Sequence, residues 1–492
     1  MRTPAAEATG ERRLRRGLKS RHLQMIAIGG AIGTGLFLGS GGTISQAGPG
    51  GAVLAYAAIG VMVLVVMQSL GEMSTHLPVA GSFHTYGTKY VSPSFGFAMG
   101  WNYWFNWAIT LAAELVAAGV IMSFWLPGVP SWVWAASFLI LLGGLNFLSS
   151  KAFGEGEFWF AAIKVIAVLA FLVLGVLMIV GIIGGSAPGL RNWTTGEAPF
   201  VGGWMSVISV FMIAGFSFQG TELVGVTAGE SENPRKDMPR AIRTVFWRIM
   251  LFYIGAIVII GFLLPYTDPS LLASANNEDV TASPFTLVFE RAGIAVAAGI
   301  MNAVILTAIL SAGNSGLYAS TRMLYAMAKD GTAPRLFARL NERGVPVMAL
   351  LATAVIGLFG FLSEVMGDGG AYTWLMNVSG LSGFIVWVGI AWCHFRFRRA
   401  YLRQGHSVDG LPYRAPLFPI GPIIALIMLI VVIIGQNVQA VVNGRLLEVA
   451  SAYAGLPAFL LLWLGHRVIT GRRSRIVRLE EMDVAGLEVK AP

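Results

Sequence analysis

Residues 28–37 read Ile-Gly-Gly-Ala-Ile-Gly-Thr-Gly-Leu-Phe and lie inside the first strongly apolar segment of the chain. Each glycine in a helix interior costs about 1 kcal/mol relative to alanine, so this cluster predicts a break in the helix. Backbone that leaves the helix at the depth of a bilayer is tolerated only where it is buried in protein or lines a cavity. The N–H and C=O groups released here are therefore candidates for binding a ligand.

A second glycine break is predicted at residues 215–221, in a later apolar segment. Interrupted helices at corresponding positions of two halves of a membrane protein indicate a transporter binding site. The two breaks fall in the first and the sixth apolar segments, so the predicted repeat contains five segments. Because five crossings are an odd number, the second repeat starts from the opposite face of the membrane, and the repeats are inverted.

Composition places the chain in a membrane. Apolar residues make up 55% of the 492 residues, charged residues make up 12%, and the mean hydropathy is +0.70, which excludes the soluble class. Apolar runs near the roughly 20 residues needed to cross a bilayer recur along the chain. The twelve predicted spans are residues 22–46, 50–74, 97–126, 131–149, 157–184, 204–229, 242–265, 282–311, 346–363, 371–395, 418–436 and 449–470. The predicted fold is an all-α integral membrane protein with twelve transmembrane helices, of which helices 1 and 6 are broken.

Five parts make up the predicted domain organisation. They are a cytoplasmic basic tail at 1–20, a first five-helix repeat at 21–184, a second, inverted five-helix repeat at 204–395, helices 11 and 12 with the preceding loop at 396–470, and a cytoplasmic tail at 471–492. Helices 11 and 12 stand outside the repeats, and the sequence leaves open whether they serve packing or oligomer contact. The oligomeric state is likewise left open.

Charge is distributed according to the positive-inside rule. The loops after even-numbered spans carry Lys and Arg, whereas the loops on the other side are acidic or nearly uncharged. Only Arg191, Arg291 and Arg445 are predicted on the outer side and only Lys164 inside the membrane, with both termini cytoplasmic. Basic residues spread over alternate loops do not form one continuous patch, so the net charge of +9 does not predict a nucleic-acid partner; the chain's surroundings are membrane lipid.

The break in span 1 predicts a site for a zwitterion. The N–H groups of Gly33, Thr34 and Gly35 begin the resumed half-helix, where the positive end of the helix dipole favours a carboxylate. The carbonyls near Ala27 and Ile28 suit an ammonium group. The alternative is that the glycines only let neighbouring helices approach closely. The matching break in span 6 favours the binding site.

Span 6 contains the sequence Gly-Phe-Ser-Phe-Gln-Gly-Thr-Glu at residues 215–222, with a carboxylate directly after the glycine break. An ionisable side chain at this depth is costly unless it is partnered, so it is by default functional. Glu222 is predicted to pair with a substrate cation, to relay a proton or to lock the break through an ion pair. Ser217, Gly220 and the carbonyls around Phe216 are predicted to complete an ammonium site.

Lys164 lies in span 5 among apolar neighbours. Snorkelling toward the inner surface is the ordinary explanation for such a lysine. The sharper hypothesis is that its ammonium contacts the unwound part of span 1 and couples proton movement to gating, because burial makes a lysine proton easier to lose.

Span 3 presents Tyr103, Trp107, Thr110 and Glu114 at spacings of four, three and four, which places them on one helical face. An aromatic stripe of this kind is more often packing than a binding wall. Glu114, a second acid in an apolar span, favours a wall that meets a second cation on the substrate.

Three further polar residues are candidates. Ser311 and Asn314 in span 8 are predicted to line the pathway, with interhelical hydrogen bonding as the alternative. Glu230 lies in the charged connector at 228–243 and is predicted to form an inner gate by ion pairing, with a plain solvated loop as the alternative.

Catalysis is not predicted. The six histidines lie at span ends or in loops, and no nucleophile with its base and no metal-ligand cluster is present in the sequence pattern. The single cysteine, Cys393, excludes an internal disulfide. The chain is therefore expected to be no enzyme and to need neither cofactor nor metal.

Several of these stretches together resemble the bacterial amino acid permeases of the amino acid-polyamine-organocation superfamily. The residues that carry the resemblance are 21–40 (RHLQMIAIGGAIGTGLFLGS), 71–90 with Gly-Ser-Phe at 81–83, 100–107 (GWNYWFNW), 215–239, 246–269 and 310–325 (LSAGNSGLYASTRMLY). The resemblance implies a LeuT-like fold with inverted repeats, import of an amino acid through the bacterial inner membrane, and proton coupling. It also implies that Lys164 stands where sodium-driven relatives hold their ion.

Whole-chain likeness within this family implies L-lysine as the substrate and protons as the coupled ion. Two alternatives stay open at this point. One is the same fold carrying arginine or an aromatic or neutral amino acid. The other is a sensor that binds lysine and signals through the connector with little transport.

Overall fold

A computed structural model describes residues 18–30, 32–79, 81–148, 150–185, 187–275, 283–436 and 438–486. Most of the predicted basic tail, residues 1–17, lies outside the described residues. Within the described ranges the chain is helical and has no β-strand beyond one isolated bridge between Leu18 and Ser231. The prediction of an all-α protein is confirmed.

The helices run in chain order from α1 to α23. Their bounds are α1 Ser20–Gly29, α2 Thr34–Phe37, α3 Gly39–His76, α4 Ser82–Tyr90, α5 Pro93–Met122, α6 Ser131–Asn146, α7 Ser150–Ile179, α8 Arg191–Thr194, α9 Gly203–Ser209, α10 Phe211–Phe218, α11 Leu223–Thr227, α12 Pro234–Arg248, α13 Ala256–Leu263, α14 Pro269–Ala275, α15 Pro284–Arg291, α16 Ala295–Lys329, α17 Val347–Gly357, α18 Ser363–Met366, α19 Asp368–Arg403, α20 Ile420–Gly435, α21 Val438–Val442, α22 Leu446–Tyr453 and α23 Gly455–Thr470. A π-helical turn, Ile249–Gly255, joins α12 to α13.

Eight helical segments of the described chain are long and apolar enough to cross a membrane. They are Gly39–His76, Pro93–Met122, Phe153–Ile179, Gly203–Glu230, Pro234–Leu263, Val296–Lys329, Val347–Met366 and Asp368–Arg403. Three shorter apolar helices, α6, α20 and α23, have 16 residues each. A helix of that length covers about 24 Å, somewhat less than the hydrocarbon thickness of about 30 Å. The chain is a multi-pass helical membrane protein.

Both predicted glycine clusters coincide with interruptions of helices. The first lies between α1 and α2, where Gly33 is extended (φ −139°, ψ −150°). The second lies between α10 and α11, where Gly220 has φ +93°. The first break also needs glycine for close packing, because a Cβ on Gly29 would lie 2.4 Å from the Cβ of Ala161 in α7.

The predicted boundary between spans 1 and 2 appears as a turn inside α3. Gly48 has φ +75° and separates two helical stretches that are otherwise continuous. A Cβ at this position would lie 2.5 Å from the backbone oxygen of Pro199, so both the conformation and the close approach require glycine.

Helix α5 is the centre of the bundle and packs against α4, α6, α16, α19 and α23. Its residues are almost all buried, including Glu114. Helix α7 lies at the periphery, with Ile166 and Val173 exposed on its outer face and Lys164 buried on the inner face. Glu114 and Lys164 therefore point into the bundle from opposite sides of the first break.

A buried ion cluster joins α3 to α19. Arg398 donates to both carboxylate oxygens of Glu72, at 2.7 and 2.8 Å, and the Ala415 N–H donates to the same carboxylate at 2.7 Å. His394 Nε2 lies 3.2 Å from Glu72. The sequence pattern does not predict this cluster.

The described part of the predicted C-terminal tail packs back on the bundle. Val477 N–H donates to the Val91 carbonyl at 2.9 Å, and the Gln404 amide donates to the Leu479 carbonyl at 2.9 Å. The hydrogen bond from the Lys89 ammonium holds the pKa of the Asp483 carboxyl below its usual value.

Candidate substrate site

A small cavity lies between the two breaks. Its lining residues are Gly30, Gly33, Gly35, Trp107, Thr110, Glu114, Phe216, Gln219 and Ala312. Its volume of about 20 Å³ is enough for about one water molecule. A ligand of amino acid size therefore fits only after the lining helices move apart. Six predicted site residues share this cavity, and they come from α2 or the break before it, from α5 and from α10.

Glu114 binds at the start of α2. Thr34 Oγ1 donates to Glu114 Oε1 at 3.1 Å, and the Thr34 backbone N–H faces the same carboxylate. A Cβ on Gly33 would lie 3.0 Å from this oxygen. Glu114 Oε2 has no hydrogen-bond partner among the described residues. The sequence predicted a substrate carboxylate at these N–H groups, and the structure places the carboxylate of Glu114 beside them.

Lys164 contacts the first break. Its Nζ donates to the Gly29 carbonyl, the last of α1, at 2.9 Å. The side chain is fully buried, and it interacts electrostatically with Glu157 and Glu114. The snorkelling alternative is excluded for this conformation, while the role in proton movement stays a prediction.

At the second break, the Glu222 side chain accepts hydrogen bonds from the backbone of the break and from a neighbouring helix. Glu222 Oε2 accepts from the Gly220 N–H and from Trp387 Nε1, both at 3.2 Å. Glu222 is buried and does not line the cavity, so its geometry is nearest to the alternative in which it locks the break. Ser217 Oγ lies 2.9 Å from the Tyr56 hydroxyl, and Ser217 is not among the residues that line the cavity.

Arg248 is a site residue that was not predicted from the sequence. It was expected at the inner surface with the other basic residues, but it is fully buried at the end of α12. Its Nη1 donates to the Ala27 carbonyl at 2.5 Å and its Nη2 donates to Thr221 Oγ1. The Ala27 carbonyl, predicted for a substrate ammonium, is thus occupied by a guanidinium. An arginine flanked by Phe, Trp, Ile and Met was the available signal.

The residues of the span 3 stripe do not all line the cavity. Trp107 and Thr110 line the cavity, and Thr110 Oγ1 lies 2.5 Å from Ser379 Oγ. Tyr103 packs behind them, with its ring 4.6 Å from that of Phe83 and 6.4 Å from that of Trp107. Tyr103 therefore supports the wall and does not line it in this conformation.

Ser311 and Asn314 do not line the cavity. Ser311 Oγ donates to Glu157 Oε1 at 2.5 Å, and Asn314 Oδ1 accepts from the Asn146 amide at 2.7 Å. Both contacts join α16 to another helix, as in the alternative of interhelical hydrogen bonding. Ile28 and Gly220 likewise lie outside the cavity lining.

Glu230 forms an ion pair with Arg322. Arg322 Nε on α16 donates to Glu230 Oε1 at 2.8 Å, and both side chains are buried. The Arg322 guanidinium lies 4.4 Å from the ring centre of Tyr318. The Glu230 carbonyl also accepts from the Leu18 N–H at 3.2 Å. This pair ties the connector to α16, and its action as a gate stays a prediction.

Gln219 is a cavity residue that the sequence motif contained without being singled out. Its amide donates to the Gly380 carbonyl at 3.0 Å and to the Ser379 carbonyl at 3.3 Å. Glu157, which accepts from Ser311, is a further missed acid; it stands at the first residue of the predicted span 5, where a charge is ordinary. Ala312 offered no signal, because an alanine in an apolar helix is unremarkable.

Comparison with known proteins gives concordant results. The family profile described as Amino acid permease matches residues 22–477. The lysine-specific permease LysP of Escherichia coli K12 is 56% identical over 483 residues, covering 98% of each chain. LysP of Lactococcus lactis is 50% identical over 487 residues, covering 98% of this chain and 95% of that protein. The histidine permease HisP of Lactococcus lactis is 48% identical over 476 residues, covering 96% and 99%.

Proposed function

The chain belongs to the amino acid permease family, and from that premise we propose that it imports L-lysine together with protons. Its relatives are named permeases, so it is an amino acid transporter and not an enzyme. The observation that supports lysine is that two proteins named lysine-specific permeases are at least 50% identical over nearly the whole chain. The histidine permease, at 48%, makes histidine the second candidate substrate.

The proposed organisation is twelve transmembrane helices in a bacterial inner membrane, with both termini in the cytoplasm. Residues 21–184 and 204–395 form the two inverted repeats, followed by helices 11 and 12 within 396–470. The interruptions between α1 and α2 and between α10 and α11 support this arrangement, because they fall in the first and sixth spans. The positive-inside distribution of charge supports the orientation.

The proposed binding mode places the zwitterion between the breaks. The N–H groups of Gly33, Thr34 and Gly35 bind the substrate carboxylate, and the carbonyls of Ile28 and Phe216 bind the α-ammonium. Since the Glu114 carboxylate lies beside the same N–H groups, substrate entry displaces it, and it then faces the positive charges of the substrate. Trp107 and Thr110 wall the pocket, and opening requires the Glu230–Arg322 pair to separate.

Lys164 is proposed to couple proton movement to the first break. The charged ammonium donates to the Gly29 carbonyl and holds the end of α1, and loss of its proton weakens that bond. Voltage adds to this driving force: a substrate of charge +1 gains about 2.3 kcal/mol per 100 mV, more than about tenfold in accumulation.

Uptake of labelled lysine by the purified protein in liposomes tests this function. With an inward proton gradient we expect accumulation of lysine, acidification of the lumen, and weak competition by arginine, histidine and aromatic or neutral amino acids. Equal competition by histidine would overturn lysine specificity. Binding of lysine without accumulation would overturn transport and support the sensor alternative.

A further inference from the structure

Glu157 is a buried acid that takes no part in the proposed binding of the substrate. Its side chain on α7 has no exposure to solvent. Oε1 accepts from Ser311 at 2.5 Å, and Oε2 has no hydrogen-bond partner among the described residues. A carboxyl group at this depth with one unsatisfied oxygen is costly, which marks it as a functional group.

Glu157 and Lys164 lie on the same face of α7. They are seven residues apart, which is about two turns and about 10 Å along the helix axis. Side chains on a helix lean toward its N-terminus, so the long Lys164 side chain leans toward the turn that carries Glu157. The charged groups that act on the Lys164 ammonium are Glu157 on α7, Glu114 on α5 and Arg248 on α12.

The two acids that act on Lys164 stand on different helices, Glu114 on α5 and Glu157 on α7. Glu114 lines the cavity. Glu157 lies toward the end of the bundle at which α1 starts, because its neighbour Glu155 binds Arg21 near that start. Along α7, Glu157 is therefore nearer than Lys164 to this end of the bundle.

If Lys164 and Glu157 formed only a structural ion pair, the Lys164 ammonium would donate a hydrogen bond directly to the Glu157 carboxylate. Among the described residues, Lys164 instead donates to the Gly29 carbonyl, and Ser311 orients Glu157 so that Oε2 stays free. The unpaired Glu157 Oε2 is thus left as an acceptor on the same helix as the Lys164 ammonium, whose side chain leans toward the turn that carries Glu157.

We propose that Glu157 accepts the proton from Lys164 and releases it at the cytoplasmic end of the bundle. The inference rests on the proposed proton symport. An N–H bond of the Lys164 ammonium breaks and an O–H bond forms at Glu157 Oε2, which leaves a neutral amine and a neutral carboxylic acid. The acid then loses the proton to cytoplasmic water and returns to a carboxylate, with no change in oxidation state.

Glu157→Gln tests the relay, because the amide keeps an acceptor for Ser311 and cannot carry the proton. Two assays are run in liposomes: lysine uptake with a lumenal pH dye under an inward proton gradient, and lysine counterflow without a gradient. We expect Glu157→Gln to lose lumenal acidification and gradient-driven uptake while counterflow persists. Glu157→Asp, which restores a carboxyl, is expected to regain part of the acidification.

Glu155→Gln is the matched control, since this acid lies on the same helix at the protein surface and is expected to behave as the wild type. Wild-type uptake without acidification would overturn the symport proposal itself. Wild-type acidification with equal acidification by Glu157→Gln would overturn only the relay. Loss of counterflow in Glu157→Gln would also overturn the relay, because Glu157 would then be needed for the fold or for substrate movement.

Discussion

The two helix breaks look alike in sequence but are held in different ways. At the first break, Lys164 binds the end of α1, while Thr34 and Glu114 meet at the start of α2. Each end of that break is thus held through an ionisable side chain from a neighbouring helix. A change of protonation at Lys164 or at Glu114 alters the hydrogen bond that the side chain makes to the break. The conformation of the first break can therefore respond to protonation.

The second break is held by a redundant network. Gln219 bonds to two carbonyls of α19, and Trp387 of the same helix donates to Glu222. The Thr221 hydroxyl donates to the Phe218 carbonyl at 2.6 Å. A change of protonation at Glu222 alone leaves the hydrogen bonds of Gln219 and Thr221 in place, so we expect it not to release this break.

Arg248 joins the two breaks. Within the described ranges it binds the Ala27 carbonyl before the first break and the Thr221 hydroxyl in the second. It also interacts electrostatically with Glu222. The comparison therefore predicts that loss of this residue affects both breaks, whereas loss of a residue at one break affects mainly that break.

The largest effect is expected for Arg248→Ala. Removal of the guanidinium leaves the Ala27 carbonyl and the Thr221 hydroxyl oxygen without their buried donor, which costs about 1–3 kcal/mol of unfolding free energy for each group. Thermal unfolding in detergent measures the loss. Arg243→Ala, an exposed site on the same helix, is the control and is expected to stay within about 0.5 kcal/mol. Equal stability of the two variants would show that Arg248 does not join the breaks.

Close packing at the first break is tested by Gly35→Ala. The new Cβ would lie 2.5 Å from the Cα of Ser217 in α10, so the two breaks must separate, at a cost of about 1–3 kcal/mol. We expect loss of lysine uptake and a lower melting temperature. Gly299→Ala is the control, because no atom lies within 4 Å of its Cβ and a helical glycine gains about 0.5–1 kcal/mol from this change. Uptake by Gly35→Ala at the wild-type rate would contradict the close contact.

Sequence alone could locate both breaks, since glycine acts on the local backbone. It could also predict that Lys164 contacts the first break, because a buried ammonium in an apolar helix needs an acceptor. The directions of Ser311 and Asn314 could not be predicted, because they depend on the rotation of α16 relative to α7 and α6. The contact between Thr34 and Glu114 depends on how α5 packs, which no local pattern encodes.

Lys164→Ala tests whether the pH dependence of uptake arises at the first break. Loss of the ammonium removes one buried hydrogen bond, at about 1–3 kcal/mol, and removes the titratable group from the first break. We expect lysine uptake to lose its dependence on external pH. Uptake is measured in liposomes across a pH series, with the exposed Lys236→Ala as control. An unchanged pH profile would remove Lys164 from the coupling mechanism.

Trp387→Phe is expected to have the smallest effect, because the second break has several independent supports. The substitution keeps the buried ring and removes one donor to Glu222, which costs about 1 kcal/mol. Glu222 keeps the Gly220 N–H, and Gln219 keeps both carbonyls of α19, so uptake and its pH dependence should match the wild type. Trp392→Phe, exposed on the same helix, controls for the loss of indole area. If Trp387→Phe shifted the pH profile of uptake and Trp392→Phe did not, the second break would also respond to protonation, through Glu222. Both breaks would then be sensitive to protonation, to different extents.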